Sequence, residues 1–169
     1  MATDRAVALL VLRVAGAGLL LTMGAIHLYL WSDGYRDLAK IGVLFLLNAI
    51  GAGVLGLAVL ASPTRYLGVP AVLGSLFTLG TLAGLVVSLT SGLFGFQEVI
   101  GAPWVRTTIW VESAGVLVLA GLAVLAFAGA GRPGRRQGWG RLPSGSATSG
   151  GGSAQPVGHG HWPGRRTPR

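Results

Sequence analysis

His27, Asn48 and Glu112 are the side chains in this sequence best suited to chemistry, because each stands inside a run of apolar residues. An imidazole exchanges a proton near neutral pH and ligates metals. A carboxyl group within a membrane span must stay protonated, pair with a base or face water, which makes it a site candidate by default. An amide most often joins two helices by a hydrogen bond. Counted from the ends of their apolar runs, His27 lies about one turn deep and Asn48 and Glu112 about two, so all three fall roughly 5–12 Å below one surface. Ser88 and Thr90 close the third run at that level, and Thr107 and Thr108 lie above Glu112. Arg106 stands six residues before Glu112 and so off its helical face; His27, across the bundle, is the better partner. Three readings follow: a buried hydrogen-bonded pair that fixes helix register, a ligand or proton site, or no contact between the two. Asn48 alone reads as an interhelical hydrogen bond before it reads as a ligand.

Other chemistries find no residues. There is no cysteine, so disulfides, thiolate catalysis and cysteine-ligated metals are excluded within the chain. A haem held by two histidines needs a second membrane histidine, and only His27 qualifies. His159 and His161, in GHGHW near the end, lack further ligands and make a poor metal site. No phosphate loop, HExxH or GxSxG motif is present. Neither are the charged rings or repeated broken helices of channels and transporters. Catalytic residues, metal and cofactor are therefore all expected to be none.

The elements that must hold these side chains are four apolar segments, at about 7–30, 41–61, 67–89 and 105–128. Each is long enough to cross a bilayer, which takes about 20 helical residues. They are continuously apolar and lack the alternation of a barrel wall, which makes them helices. Short connections make neighbours antiparallel, giving an all-α, up-down-up-down four-helix transmembrane bundle. Asp37 is positioned to cap the second helix. Arg13, near the start of the first, is expected to snorkel to the interface. The longest connection, residues 91–104, mixes glycine, aromatics and Glu98, and should lie in the interface or dip into it. Glu98 joins Tyr29, Trp31, Tyr35, Trp104 and Trp110 in an expected belt at the outer interface. Small residues four apart, Ala49 with Gly53, Ala52 with Gly56 and Gly80 with Gly84, favour close packing of helices within the chain.

Charged residues make up only 11% of the 169 residues, against about a quarter in a soluble domain. Arg5, Arg13, Arg65, Arg132, Arg135, Arg136 and Arg141 lie toward one side of the bundle; Arg36, Lys40 and Arg106 lie toward the other. The richer side should be cytoplasmic, placing both termini inside a cell membrane crossed several times. Arg13 interrupts the first apolar run, which argues against a cleaved signal. From Gly129 onward the sequence is rich in Gly, Pro, Ser and Arg, which predicts a disordered cytoplasmic tail. Its Arg132, Arg135, Arg136 and Arg141 suit anionic lipid head groups. The expected partners are therefore the lipid bilayer, those head groups and another membrane protein. The net charge of +8 has no accompanying nucleic-acid motif.

GAIHLYL at 24–30, Gly34-Tyr35, IGVLFLLN ending at Asn48 and Val111-Glu112-Ser113 together resemble a group of small four-helix membrane proteins of high-GC Gram-positive bacteria. These are distantly similar in layout to the DoxX-like proteins. The resemblance covers about the first 128 residues. It implies four helices and, in some members, association with quinone-linked redox enzymes; no redox residue carries over to this chain. The expected function is that of a non-enzymatic accessory or scaffold subunit. The alternatives are an outer-leaflet pocket of His27, Asn48 and Glu112 for a quinone-like head group or a proton, and a small oligomeric carrier.

Overall fold

The structure, a computed structural model, describes residues 2–130. Four helices account for most of them: α1 (Ala2–Ser32), α2 (Ala39–Ala61), α3 (Gly68–Thr90) and α4 (Val105–Ala130). All four are long and apolar enough to cross a membrane; 23 residues of helix span about 35 Å. The chain is thus a multi-pass membrane protein built as a four-helix bundle. The expectations for the tail, including Arg132, Arg135, Arg136, Arg141, His159 and His161, fall outside the described residues.

The connections 33–38 and 91–104 lie at one end, here the loop end. The turn 62–67 lies at the other, the terminal end, with the start of α1 and the finish of α4. In hydrocarbon the apolar side chains gain little by leaving lipid, so close backbone approach and van der Waals contact must hold the helices together. Helix α1 meets α2 where Gly24 faces Ala49 and Ala52: a methyl on Gly24 would lie 3.1 Å from the Ala52 Cβ and 3.2 Å from the Ala49 carbonyl oxygen. Gly56 receives Leu21 in the same way. Gly74 on α3 receives Leu20 of α1 and Leu119 of α4. These contacts centre a dense core on the terminal half, built from Leu20, Met23, Val59, Leu67, Leu119 and Leu122. Helices α1–α2, α3–α4 and α1–α4 pack extensively, whereas α2 and α3 meet sparsely.

Three local expectations are corrected. Gly80 and Gly84 were expected to pack against a helix, yet a methyl on either would meet nothing within 4 Å. They border the sparse α2–α3 seam. Asp37 does not cap α2. It belongs to a 3-10 turn, Tyr35–Asp37, and Leu38 takes the N-cap position with no side-chain bond. The cause is Gly42, whose missing side chain lets Tyr35 and Arg36 backbone atoms press onto the first turn of α2. Arg13 does more than snorkel. Its guanidinium donates to the Leu60 and Ser62 carbonyls, and that of Arg5 donates to the Leu125 carbonyl at 2.9 Å. Two arginines of α1 thereby tie that helix to the ends of α2 and α4, Arg13 by meeting carbonyls at the C-terminus of α2 that have no partner within their own helix.

Candidate functional site

A cavity of about 500 Å³ occupies the loop end. Each helix contributes a face to it by helical spacing: His27 and Leu30 from α1; Ile41, Phe45 and Asn48 from α2; Phe77, Thr81, Gly84 and Ser88 from α3; Val105, Thr108 and Glu112 from α4. The structure thus brings His27, Asn48 and Glu112 around one space, together with Ser88 and Thr108. The missing side chains of Gly80 and Gly84 are what leave that space open.

Glu112 sits deepest, with 1% of its surface exposed. Neither of its carboxyl oxygens has a hydrogen-bond partner, and neither do Asn48 Oδ1, Ser88 Oγ and Thr108 Oγ1. These five atoms are all the buried side-chain oxygens and nitrogens left without a partner among the described residues, and all belong to cavity-lining side chains. Such an atom typically costs about 1–3 kcal/mol while it stays unpartnered. The Thr81 hydroxyl lies beside the Glu112 carboxyl group, but its proton is turned to the Thr78 carbonyl at 2.8 Å and so does not serve Glu112.

His27 is fixed by its other nitrogen. Nδ1 lies 2.9 Å from the Met23 carbonyl oxygen, which can only accept, so Nδ1 carries the proton. Nε2 faces Glu112 Oε1 at 4.0 Å, too far for a hydrogen bond. The ring packs on Phe45, with centroids 5.1 Å apart. His27 and Glu112 are therefore neighbours without the direct hydrogen bond that a register-fixing pair would make.

The mouth is closed by residues read in the sequence as interfacial. Glu98, expected at the outer interface, is buried. Its Oε2 accepts a hydrogen bond from the Tyr35 hydroxyl at 2.7 Å and its Oε1 one from the Val99 amide at 3.1 Å. The backbone explains the inward turn. Leu93 and Phe96 exchange two hydrogen bonds across Phe94 and Gly95, both at positive φ, 52° and 83°, as a tight hairpin turn requires. The chain is thereby folded back, and the Glu98 amide donates to the Ser88 carbonyl at 3.1 Å. Tyr35, also expected in the belt, stacks on Phe45 at 4.6 Å and meets Phe96 edge-on at 5.7 Å. Burial, then the bond to Glu98 and its charge, push the Tyr35 phenol well above the ordinary tyrosine range, so it remains a donor. Tyr29, Trp104 and Trp110 are exposed, the first two in edge contact, and Trp31 is half-buried.

The cavity opens sideways between α2 and α3. Leu44, Leu47 and Leu76 line it and are themselves exposed, on surfaces that face lipid in a spanning bundle. Toward the core the gap is shut by the Phe77 ring, which lies against Gly51 where no methyl would fit. No lysine or arginine lines the cavity. Arg106 is exposed, and the Lys40 ammonium rests over the Phe94 ring at 5.3 Å. Among the described residues no group of three or more His, Asp or Glu is arranged to hold a metal ion.

Thr81, Phe45 and the Tyr35–Glu98 closure were missed in the sequence. Phe77, Thr81, Gly84 and Ser88 recur at helical spacing along α3, and that stripe was the available signal. No protein-family model, curated protein or solved structure matches this chain.

Proposed function

We propose that this protein is a non-enzymatic membrane protein that binds a small lipid-phase molecule, taking its polar head into the loop-end cavity while its apolar body stays between α2 and α3. The observation that carries this reading is the set of five unpartnered buried oxygens around a space open to the lipid side. A purely structural polar layer would pair its own members. Here Glu112 and Asn48 are held apart from partners, in an environment where an unmet polar group is costly. Most of the waiting atoms are acceptors, so the matching head brings donors. The carbonyls of an oxidised quinone suit it less than the hydroxyls of a quinol. The excess of arginine toward the terminal end supports a plasma-membrane orientation with the termini inside and the cavity in the outer leaflet. A scaffold role remains compatible, with the bound molecule as what the protein presents to a membrane partner.

Gly84→Leu tests this. Nothing lies within 4 Å of a side chain started at Gly84, so leucine grows into the cavity while improving helix propensity. Native mass spectrometry from mild detergent should show a molecule retained by the wild-type protein and lost from the variant. Identical retained species in both proteins would refute the cavity as a binding site.

A further inference from the structure

We infer that the head group received by this cavity is a primary ammonium, seated against Glu112. The inference rests on the binding reading above and names the chemical class of its ligand. The ionisable groups that line the cavity are His27, Tyr35, Glu98 and Glu112, with no lysine or arginine among the lining residues. The His27 Nδ1 proton is engaged by the Met23 carbonyl, and the Tyr35 proton by Glu98. The lining groups not engaged in this way are the two Glu112 oxygens, Asn48 Oδ1, the Ser88 and Thr108 hydroxyls, each able to donate as well as accept, and His27 Nε2.

Each common head group can be weighed against that set. An anion meets carboxylates and no cation to balance it. A quinone or ester can accept from the Ser88 or Thr108 hydroxyl but leaves both Glu112 oxygens and Asn48 Oδ1 unmet. An alcohol or phenol supplies one proton per hydroxyl. A quaternary ammonium supplies charge without donors. A primary ammonium supplies three donors and a positive charge together, which matches a carboxylate flanked by further acceptors. The cluster of Tyr35, Phe45 and Phe96 adds aromatic surface to the wall, which attracts a cation when within about 6 Å of a ring centroid. The exposed leucines at the α2–α3 seam take the alkyl portion.

The test uses the full-length protein in a neutral maltoside detergent with three probes of equal chain length: decylamine, decanol and decyltrimethylammonium. Saturable change in intrinsic tryptophan fluorescence and in the thermal midpoint reports binding. Decylamine is expected to bind roughly tenfold or more tightly than either other probe, and to lose about that factor in Glu112→Gln, as one charge-assisted hydrogen bond predicts. Equal affinity for decanol, an unchanged decylamine affinity in Glu112→Gln, or no decylamine binding at all overturns the ammonium assignment. Should Glu112→Gln not accumulate, the three-probe ranking on wild-type protein decides alone. The cavity reading stands or falls separately. Decanol binding abolished by Gly84→Leu would keep the site and discard the cation, whereas probe binding indifferent to Gly84→Leu would discard the site.

Discussion

Gly42 offers the sharpest test of how the cavity mouth is built. A methyl placed on it would sit 2.7 Å from the Tyr35 carbonyl oxygen and 2.8 Å from both the Arg36 Cα and the Arg36 carbonyl oxygen. All three are backbone atoms, so no rotamer change relieves the overlap, and the turn must move. Such overpacking costs about 1–3 kcal/mol. The substitution Gly42→Ala also gains about 1 kcal/mol of helix propensity. Gly53→Ala, in the same helix, makes the same propensity gain and meets nothing within 4 Å. The difference between the two variants therefore isolates the clash. Gly53→Ala should be more stable than wild type by about 0.5–1 kcal/mol, and Gly42→Ala less stable than Gly53→Ala by about 1–3 kcal/mol. Unfolding in mixed micelles with increasing dodecyl sulfate, followed by circular dichroism, measures both. Because the turn carries Tyr35, Gly42→Ala should also release its hydroxyl from Glu98, returning one phenol to the ordinary titration range in an ultraviolet pH titration. Equal stability of the two variants, with that phenol unmoved, would refute the proposed packing of turn on helix.

Glu112→Leu removes two unpartnered oxygens from a buried position and should stabilise the ligand-free protein by about 1–3 kcal/mol while abolishing amine binding; destabilisation in the same micelle assay would make Glu112 a structural partner instead. For Tyr35 the folded phenol titrates above its unfolded value, so the stability it lends is fully present below about pH 10 and is lost as pH rises toward the folded value. Tyr35→Phe should cost roughly 1–3 kcal/mol at neutral pH and flatten that alkaline decline; an unaltered decline from pH 9 to 12 in the stability profile would remove Tyr35 as its source. The absence of native cysteine permits single-site labelling. Asp33→Cys should react with a membrane-impermeant maleimide added to intact cells and Thr64→Cys only after lysis, and the reverse pattern would invert the orientation.

The four helices were legible because hydrocarbon imposes a length of apolar sequence that cannot be disguised. The polar layer was legible for a related reason: side chains as costly as Glu112 in a span can be placed by depth alone. What spacing could not distinguish was contact from void. Ala52 with Gly56 and Gly80 with Gly84 carry the same four-residue signature, yet the first pair receives α1 and the second borders empty space. The outcome depends on which helices become neighbours across the bundle. Glu98 escaped for a different reason. Its inward course follows from a positive φ at Phe94, a residue type that announces no such turn. Asp37 had the right chemistry for a cap, but the close approach permitted by Gly42 set the entry to α2 before a side chain could.

The uneven closure of the bundle has a mechanical consequence. With three helix pairs tightly joined and the α2–α3 seam sparse beside the cavity, a guest fills space that already stands open and keeps the seam propped apart in one leaflet. Occupancy is therefore coupled to lateral pressure at that depth. Lipids whose chains crowd the leaflet on the loop side should squeeze the seam and weaken binding. Vesicles of graded chain unsaturation at constant head group would report it as a graded affinity, making the protein responsive to the membrane's own state of compression.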